Sequence, residues 1–131
     1  MKRRTYLKAT LAAVAAGALA EAEMKHPIVL EVDLEVAPDR ETEMLRNFRN
    51  VFRPAAARQP GYIDVKMLKL RAAIQGPAPA ARYRFVLTFE SEELRQQWVA
   101  SAVHQKVWPT VENTLASKDY TVLLYDDATE A

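Results

Sequence analysis

The sequence predicts an α+β fold in which a four-stranded antiparallel sheet carries two helices on one face. Residues 28–36 and 82–90 alternate apolar and polar side chains, as expected of strands with one buried face. Each of these segments is followed by a helical pattern with capping signals and then by another strand. Two strand–helix–strand units joined by a hairpin form the ferredoxin-like arrangement. A sheet covered on both faces would be apolar throughout.

The first strand and helix follow from residues 28–53. In strand 28–36, the face that carries the odd-numbered residues is acidic. The opposite face is apolar and carries Ile28, Leu30, Val32, Leu34 and Val36. Asp39 is the expected N-cap of a helix that runs to about Phe52. Because proline lacks an N–H and its ring clashes with the preceding turn, we expect Pro54 to end or kink this helix.

The second unit follows from residues 59–125. Pro60 and Gly61 indicate a turn before a strand at 62–70, and residues 75–79 indicate a hairpin loop before the strand at 82–90. Ser91 is the expected N-cap of the second helix. We expect Pro109 to kink or restart that helix, which displaces Trp108 from regular geometry. Residues 120–125 complete the sheet as its fourth strand.

Residues 1–20 resemble an export signal. Arg3 and Arg4 lead into an uncharged, alanine-rich run that ends in small residues at 18–20. The paired arginines resemble the twin-arginine signal, whose machinery carries folded proteins. We expect cleavage after Ala20 or Ala22, and a periplasmic or secreted protein. The uncharged run is shorter than the roughly 20 residues that span a bilayer, so we expect no membrane span after cleavage.

Composition excludes several functional classes. Segment 1–20 holds four of the 18 basic residues and none of the 17 acidic ones, which leaves 14 against 17 and a net charge near −3. A nucleic-acid-binding protein would be basic instead. The chain has no cysteine, which excludes disulfides and thiol chemistry, and its two histidines, His26 and His104, cannot form a multi-histidine metal site. We therefore expect no metal and no cofactor.

The predicted topology places charged residues opposite one another on the outer sheet face. The first and third strands are central neighbours, so Glu31, Asp33 and Glu35 lie across from Arg82, Arg84 and Thr88. We expect a second copy to cover this face and form a two-fold homodimer. The alternative is a monomer whose charged face is solvated.

Three segments resemble the antibiotic biosynthesis monooxygenase domain. They are Phe52–Tyr62 with its Pro-Gly-Tyr turn, the strand and Ser-Glu-Glu helix start at 83–94, and the helix Trp98–Pro109. The similarity covers residues 26–126 and implies a dimeric α/β barrel. Members include cofactor-free oxygenases of phenolic or quinol rings, haem-degrading enzymes and domains without an assigned activity.

The haem-degrading members use an Asn on the first strand, a Trp early in the second helix and a His further along it. Trp98 matches the Trp. The first strand has Glu31 and Asp33 at the Asn position, and the His position falls near Trp108, since His104 comes four residues earlier. Two of the three positions therefore depart from that pattern.

The candidate site residues come from this resemblance and from side-chain chemistry. His104 titrates near neutral pH and is the candidate catalytic base, with Trp98 beside it in the cavity that the resemblance implies. The candidate substrate-binding residues are those that can donate hydrogen bonds to a ring or wall a pocket: Asn47, Tyr62, Tyr83 and Trp108. A surface His, core aromatic residues and a helix-surface Asn are the alternative interpretations.

The resemblance implies a dimeric monooxygenase that oxidises small aromatic or quinol-type molecules without a cofactor, and residues 1–20 predict that it is exported. Two alternatives stay open: a non-catalytic module that binds a small apolar ligand, and a haem-binding or haem-degrading protein.

Overall fold

A computed structural model describes residues 26–129, so the predicted signal at residues 1–20 lies outside the described residues. Its sheet is formed by β1 (Ile28–Leu34), β2 (Tyr62–Lys69), β3 (Tyr83–Phe89) and β4 (Val122–Asp126). The strand order is β2-β3-β1-β4, and every pair is antiparallel. Alternate residues of β1 and β3 are buried with the apolar faces of the helices in one core. The predicted ferredoxin-like α+β fold is confirmed.

The first helical segment is continuous from a 3₁₀ turn, Pro38–Arg40, through α1 (Glu41–Asn47) and a π-helical turn, Phe48–Phe52, to α2 (Arg53–Ala56). The predicted Asp39 cap is wrong, because Asp39 lies inside the 3₁₀ turn and no side chain caps either start. Pro54 does not end the segment either. The Arg53 N–H donates to the Phe48 carbonyl, and this wide turn relieves the clash that the Pro54 ring would cause.

The second helical segment breaks at Ser101, between α3 (Glu92–Ala100) and α4 (Ala102–Glu112). The predicted Ser91 cap is confirmed, since its Oγ accepts the Leu94 N–H at 3.2 Å. Ser101 has an extended backbone, and its Oγ accepts the His104 N–H at 3.1 Å and donates to the Trp98 carbonyl at 2.7 Å. Pro109 does not restart the helix, because it lies within α4.

The turn before β2 requires glycine. Gly61 has a φ of +85°, and a Cβ there would lie 2.5 Å from Cδ1 of Leu94. Its carbonyl accepts the Glu90 N–H at 2.7 Å, which ties the turn to the end of β3. The predicted Pro60-Gly61 turn is therefore confirmed, and it sets how closely α3 approaches the sheet.

The outer face of the sheet carries part of the predicted charge pairing, all of it at Arg84. Asp33 lies opposite Arg84, with 2.8 Å between Oδ1 and Nε, and Glu31 lies 3.4 Å from another nitrogen of Arg84. Thr88 lies opposite Val29 and not opposite an acidic residue. The sheet is open, with β2 and β4 at its edges, so a closed barrel requires a second copy. No helix within residues 26–129 is long and apolar enough to cross a bilayer.

Candidate functional site

A cavity of about 220 Å³ lies between the helices and the β1–β3 part of the sheet. It is called the ring cavity below. Its lining is aromatic and aliphatic apart from two basic side chains: Leu30, Val32, Phe52, Phe85, Leu87, Arg95, Trp98, Val99, His104, Trp108, Tyr120 and Val122. Val122 is half exposed, so the cavity opens to solvent beside β4. A cavity of about 150 Å³ already holds one benzene molecule, so this volume suits a single ring.

Aromatic contacts fix the orientation of His104 in this cavity. Its imidazole centroid lies 5.0 Å from the Trp98 ring in an edge-to-face arrangement and 6.4 Å from the Trp108 ring, to which it is nearly parallel. Phe52 contacts both tryptophan rings, with centroids 5.8 Å away in each case. Edge-to-face and offset pairs at these distances are favourable, so the cluster holds the imidazole in a defined position.

The break at Ser101 brings His104 to the same cavity as Trp98. Residues six apart in one continuous helix point in directions that differ by about 120°, because each residue turns the helix by about 100°. The extended backbone of Ser101 restarts the helix, and its Oγ holds the His104 N–H in the first turn of α4. The sequence marked this cap less clearly than Ser91, because Glu92 and Glu93 follow Ser91 in the first turn and no acidic residue follows Ser101 there.

The surroundings of His104 keep its imidazole neutral. Burial lowers the pKa of His104, and the positive charge of Arg95 lowers it further. Arg95 is itself held by Glu92, with both nitrogen–oxygen distances at 2.6 Å. At neutral pH the side chain is therefore an uncharged base in an apolar cavity, able to accept a proton from a bound molecule.

The Trp98 ring lines the cavity, but its indole N–H is buried away from it. The side chain is 2% exposed, and its Nε1 is the buried side-chain polar atom of the described residues that lacks a hydrogen-bond partner. A buried N–H without an acceptor costs roughly 1–3 kcal/mol. The packing of the aromatic cluster bears this cost.

Sequence reasoning missed Tyr120 as a site residue and placed it in the last strand. Its hydroxyl donates to Oε2 of Glu112 at 2.7 Å and accepts the Nε1–H of Trp108 at 3.3 Å. Burial and the bond to Glu112 raise the pKa of Tyr120, so the hydroxyl keeps its proton. Tyr120 thus positions the Trp108 ring. No local pattern indicates this, because twelve residues separate the two aromatic side chains.

The structure brings together Trp98, His104 and Trp108, but it places the other candidates outside the ring cavity. The Asn47 amide donates to the Thr110 carbonyl at 2.9 Å, in the last turn of α4, and so joins the two helical segments. Tyr62 packs edge-to-face on Phe89.

Tyr83 is buried at the far end of the sheet. Its hydroxyl donates to Oε2 of Glu41 at 2.5 Å, and burial together with this bond raises the pKa of Tyr83 to about 12. Tyr83 therefore has a structural partner and no access to the ring cavity. Within residues 26–129 no group of three or more Cys, His, Asp or Glu side chains could hold a metal ion.

Comparison with protein families now adds to this geometry. The family model described as antibiotic biosynthesis monooxygenase matches residues 27–108, which include most of the ring-cavity lining. The chain belongs to the antibiotic biosynthesis monooxygenase family. None of the curated proteins compared with the chain matches it.

Solved structures with this fold come from several bacteria. A protein assigned as an antibiotic biosynthesis monooxygenase from Nitrosomonas europaea superposes with a TM-score of 0.63 at 16% identity, covering 82% of this chain and 95% of that one. The haem-free form of a haem-degrading protein from Mycobacterium tuberculosis gives a TM-score of 0.56 at 20% identity, covering 81% of this chain and 96% of that one. A dimeric ferredoxin-like protein of unknown function from Jannaschia gives 0.62 at 16% identity, covering 76% and 96%. At these identities the likeness establishes the fold.

The ring cavity does not fit haem. A tetrapyrrole is several times larger than the single ring that about 220 Å³ accommodates. Haem also carries two propionates, and Arg95 is the one guanidinium among the lining residues. Together with the departures at Glu31 and His104, this argues against a haem site in the single chain.

Proposed function

We propose that the ring cavity binds a single-ring phenol or quinol and that the protein catalyses its oxygenation by O₂ without a metal or a cofactor. The observation that carries this proposal is His104, a neutral base fixed against an aromatic-walled cavity whose volume matches one ring. Membership of the monooxygenase family supports the reaction class.

The proposed reaction balances with O₂ as the oxidant. The phenolic hydroxyl gives its proton to His104, and the phenolate passes one electron to O₂. The two radicals combine at the carbon para to the oxygen and form a hydroperoxide, which takes its proton from His104. Loss of water then leaves the quinone. A phenol and one O₂ thus yield one quinone and one water, and all four electrons come from the ring.

One further group favours the phenolate in this cavity. The positive charge of Arg95 lowers the pKa of His104, and the same charge stabilises a negative oxygen bound nearby. The apolar walls exclude water, which strengthens this interaction.

Oxygen uptake with a panel of single-ring phenols and quinols tests the reaction. Turnover with ¹⁸O₂ should place one labelled atom in the product, and His104→Gln should lower uptake by at least about 100-fold. His26→Gln is the matched control, because His26 is exposed and lies outside the ring cavity. Absence of uptake with every ring, or equal uptake by both variants, would exclude the proposed reaction. Saturable ring binding without uptake would identify a binding module.

We also propose that two copies associate through the β1–β4 part of the outer sheet face, where Glu31 lies opposite Leu123. Leu123 and Tyr125 are 42% and 45% exposed on this face, an apolar pair that monomeric proteins normally cover or interrupt with charge. One structural relative is dimeric. Light scattering at micromolar concentration should give twice the chain mass, and Leu123→Lys with Tyr125→Lys should give the monomer. A monomeric parent protein would refute the interface.

Export is proposed from the sequence of residues 1–20. In a bacterial host with the twin-arginine pathway, the periplasmic fraction should contain protein whose mass is that of a chain starting at Glu21 or Glu23. Arg3→Lys with Arg4→Lys should leave the precursor in the cytoplasm. Processing that is unchanged by this double substitution would exclude the twin-arginine route.

A further inference from the structure

A larger cavity of about 450 Å³ lies under the loop that joins β2 to β3, residues 70–82. It is called the hairpin cavity below. It shares no lining residue with the ring cavity, and it contains no part of the aromatic cluster around His104. Its volume lies within the roughly 300–1,000 Å³ of typical small-molecule sites.

The lining of the hairpin cavity is strongly basic. Lys69, Arg71, Arg82 and Arg84 line it, against Asp33 as the acidic member. Four positive charges around one cavity repel one another unless anions lie between them. The neighbouring carboxylates compensate two of the four: Asp33 and Glu31 bind Arg84, and Glu41 binds Lys69 at 2.9 Å.

The other two cations have no carboxylate. Among residues 26–129, neither Arg71 nor Arg82 forms an ion pair. Arg82 has one long bond, 3.5 Å, from Nη2 to the Leu70 carbonyl. Two guanidinium groups with uncommitted donors therefore line the same cavity, and a guanidinium is suited to bidentate bonds with carboxylate or phosphate.

The remaining lining is mostly apolar. Leu68, Leu70, Pro77, Pro79 and two alanines lie beside the arginines, and Gln75 and Tyr83 complete the wall. A ligand that satisfies both parts carries one anionic group and an apolar body. An adjacent cleft of about 360 Å³ also contains Lys69 and Arg82, but Glu35 and Glu41 lie in it and would repel an anion.

We propose that the hairpin cavity is a second ligand site, which binds a small organic anion through Arg71 and Arg82. The anionic group is a carboxylate or a phosphate, and the apolar body lies against Leu68, Leu70 and Pro77. This site does not depend on the proposed oxygenation, because no group of the ring cavity takes part in it.

Calorimetric titration with hexyl phosphate, inorganic phosphate and hexanol tests the site. Hexyl phosphate should bind saturably and more tightly than either partial probe. Arg71→Gln with Arg82→Gln should weaken it by at least about tenfold, because each guanidinium supplies charge-assisted hydrogen bonds. Arg49→Gln with Arg58→Gln is the matched control, since it removes two exposed charges outside the cavity and should change the affinity less than about twofold.

Three results would overturn the proposal. Equal affinity in the two double variants would show non-specific attraction to a charged surface. If inorganic phosphate bound as tightly as hexyl phosphate, the apolar wall of the cavity would contribute nothing to binding. Hexyl phosphate that competes with phenol, and loses affinity in Trp98→Ala, would place it in the ring cavity. Light scattering of each variant, which should match the parent, separates these results from changes in assembly.

Discussion

The two ends of the helix–sheet layer are built differently. At the end of β1 the layer is closed: Leu34, Met44 and Val111 are fully buried, and backbone bonds join residues 35–37 to residues 114–116. At the β4 end, Val122 and Leu124 lie on the helix-facing side of the sheet, opposite Val32 and Leu30, yet about half of each is exposed.

This difference locates the ring cavity. Where the helices and the strand ends are tied together, side chains fill the space, as in most protein interiors. Where no helix covers β4, the space beside it remains open to a ligand. The same layer therefore provides stability at one end and a binding site at the other.

The largest effect is expected at the open end, on catalysis. His104→Gln should lower turnover by about 10²–10⁴-fold, the usual contribution of general base catalysis, because glutamine cannot accept the proton. Steady-state oxygen uptake measures it. The free energy of unfolding should change little, and a large loss of stability would show that His104 is a core residue and not a base.

The next effect is expected at the closed end, on stability. Met44→Ala should lower the free energy of unfolding by about 2–5 kcal/mol, since it leaves a cavity in a fully packed region. Urea denaturation measures it. The control Val122→Ala should cost less than about 1 kcal/mol, because half of that side chain is exposed in the native state. Equal costs would remove the distinction between the ends.

A smaller effect is expected from the bond that positions Trp108. Tyr120→Phe removes the acceptor of the Trp108 Nε1–H and the donor to Glu112, and should cost about 0.5–1.5 kcal/mol in unfolding free energy. Ring affinity should fall as well, because the Trp108 ring is less constrained. Because phenylalanine differs from tyrosine only by the hydroxyl group, the substitution leaves the packing of the ring unchanged. Unchanged affinity would show that Tyr120 has no positioning role.

The smallest effect concerns pH. The pKa of His104 is lowered by burial and then by Arg95, so the unfolded chain binds its proton more readily than the native protein does. The free energy of unfolding is unaffected by the titration of His104 above about pH 6.5, and it decreases as the pH falls towards the lowered pKa. Urea midpoints between pH 7 and pH 5 should therefore decline less in His104→Gln than in the parent.

Arg95→Gln sharpens the same prediction. Loss of the nearby positive charge should raise the pKa of His104, so the acid limb of kcat/KM should move to higher pH. If the acid limb of kcat/KM does not shift in Arg95→Gln, or is still present in His104→Gln, a group other than His104 is responsible for it.

Regular, local patterns in the sequence were enough for the sheet, for the Gly61 turn and for the Ser91 cap. Alternation in β1 and β3 predicted their buried faces and an outer face on which acidic residues of β1 meet Arg84 of β3, but it did not fix which residues lie opposite one another. These features depend on a few neighbouring residues, and tertiary contacts reinforce them.

The features that define the ring cavity are non-local. The helix does not end at Pro54 but forms a π-helical turn before it, and the second helix restarts at Ser101 and not at Pro109. Tertiary packing, which a local pattern does not show, overrides the local preference at these positions. Tyr120 reaches Trp108 only after the chain has folded back. Asn47 and Tyr83 have chemistry that suits a ligand, but Thr110 and Glu41 already occupy their donors.

The most direct test of the ring cavity is an NMR titration that follows the two histidine rings and the two tryptophan indole N–H groups of the chain. A single-ring quinol is added under anaerobic conditions, so that no turnover occurs. The account predicts saturable shifts of the Trp98 indole N–H and the His104 ring with one shared dissociation constant, and an unchanged His26. Shifts that never saturate, or that affect His26 equally, would contradict the ring cavity as a binding site.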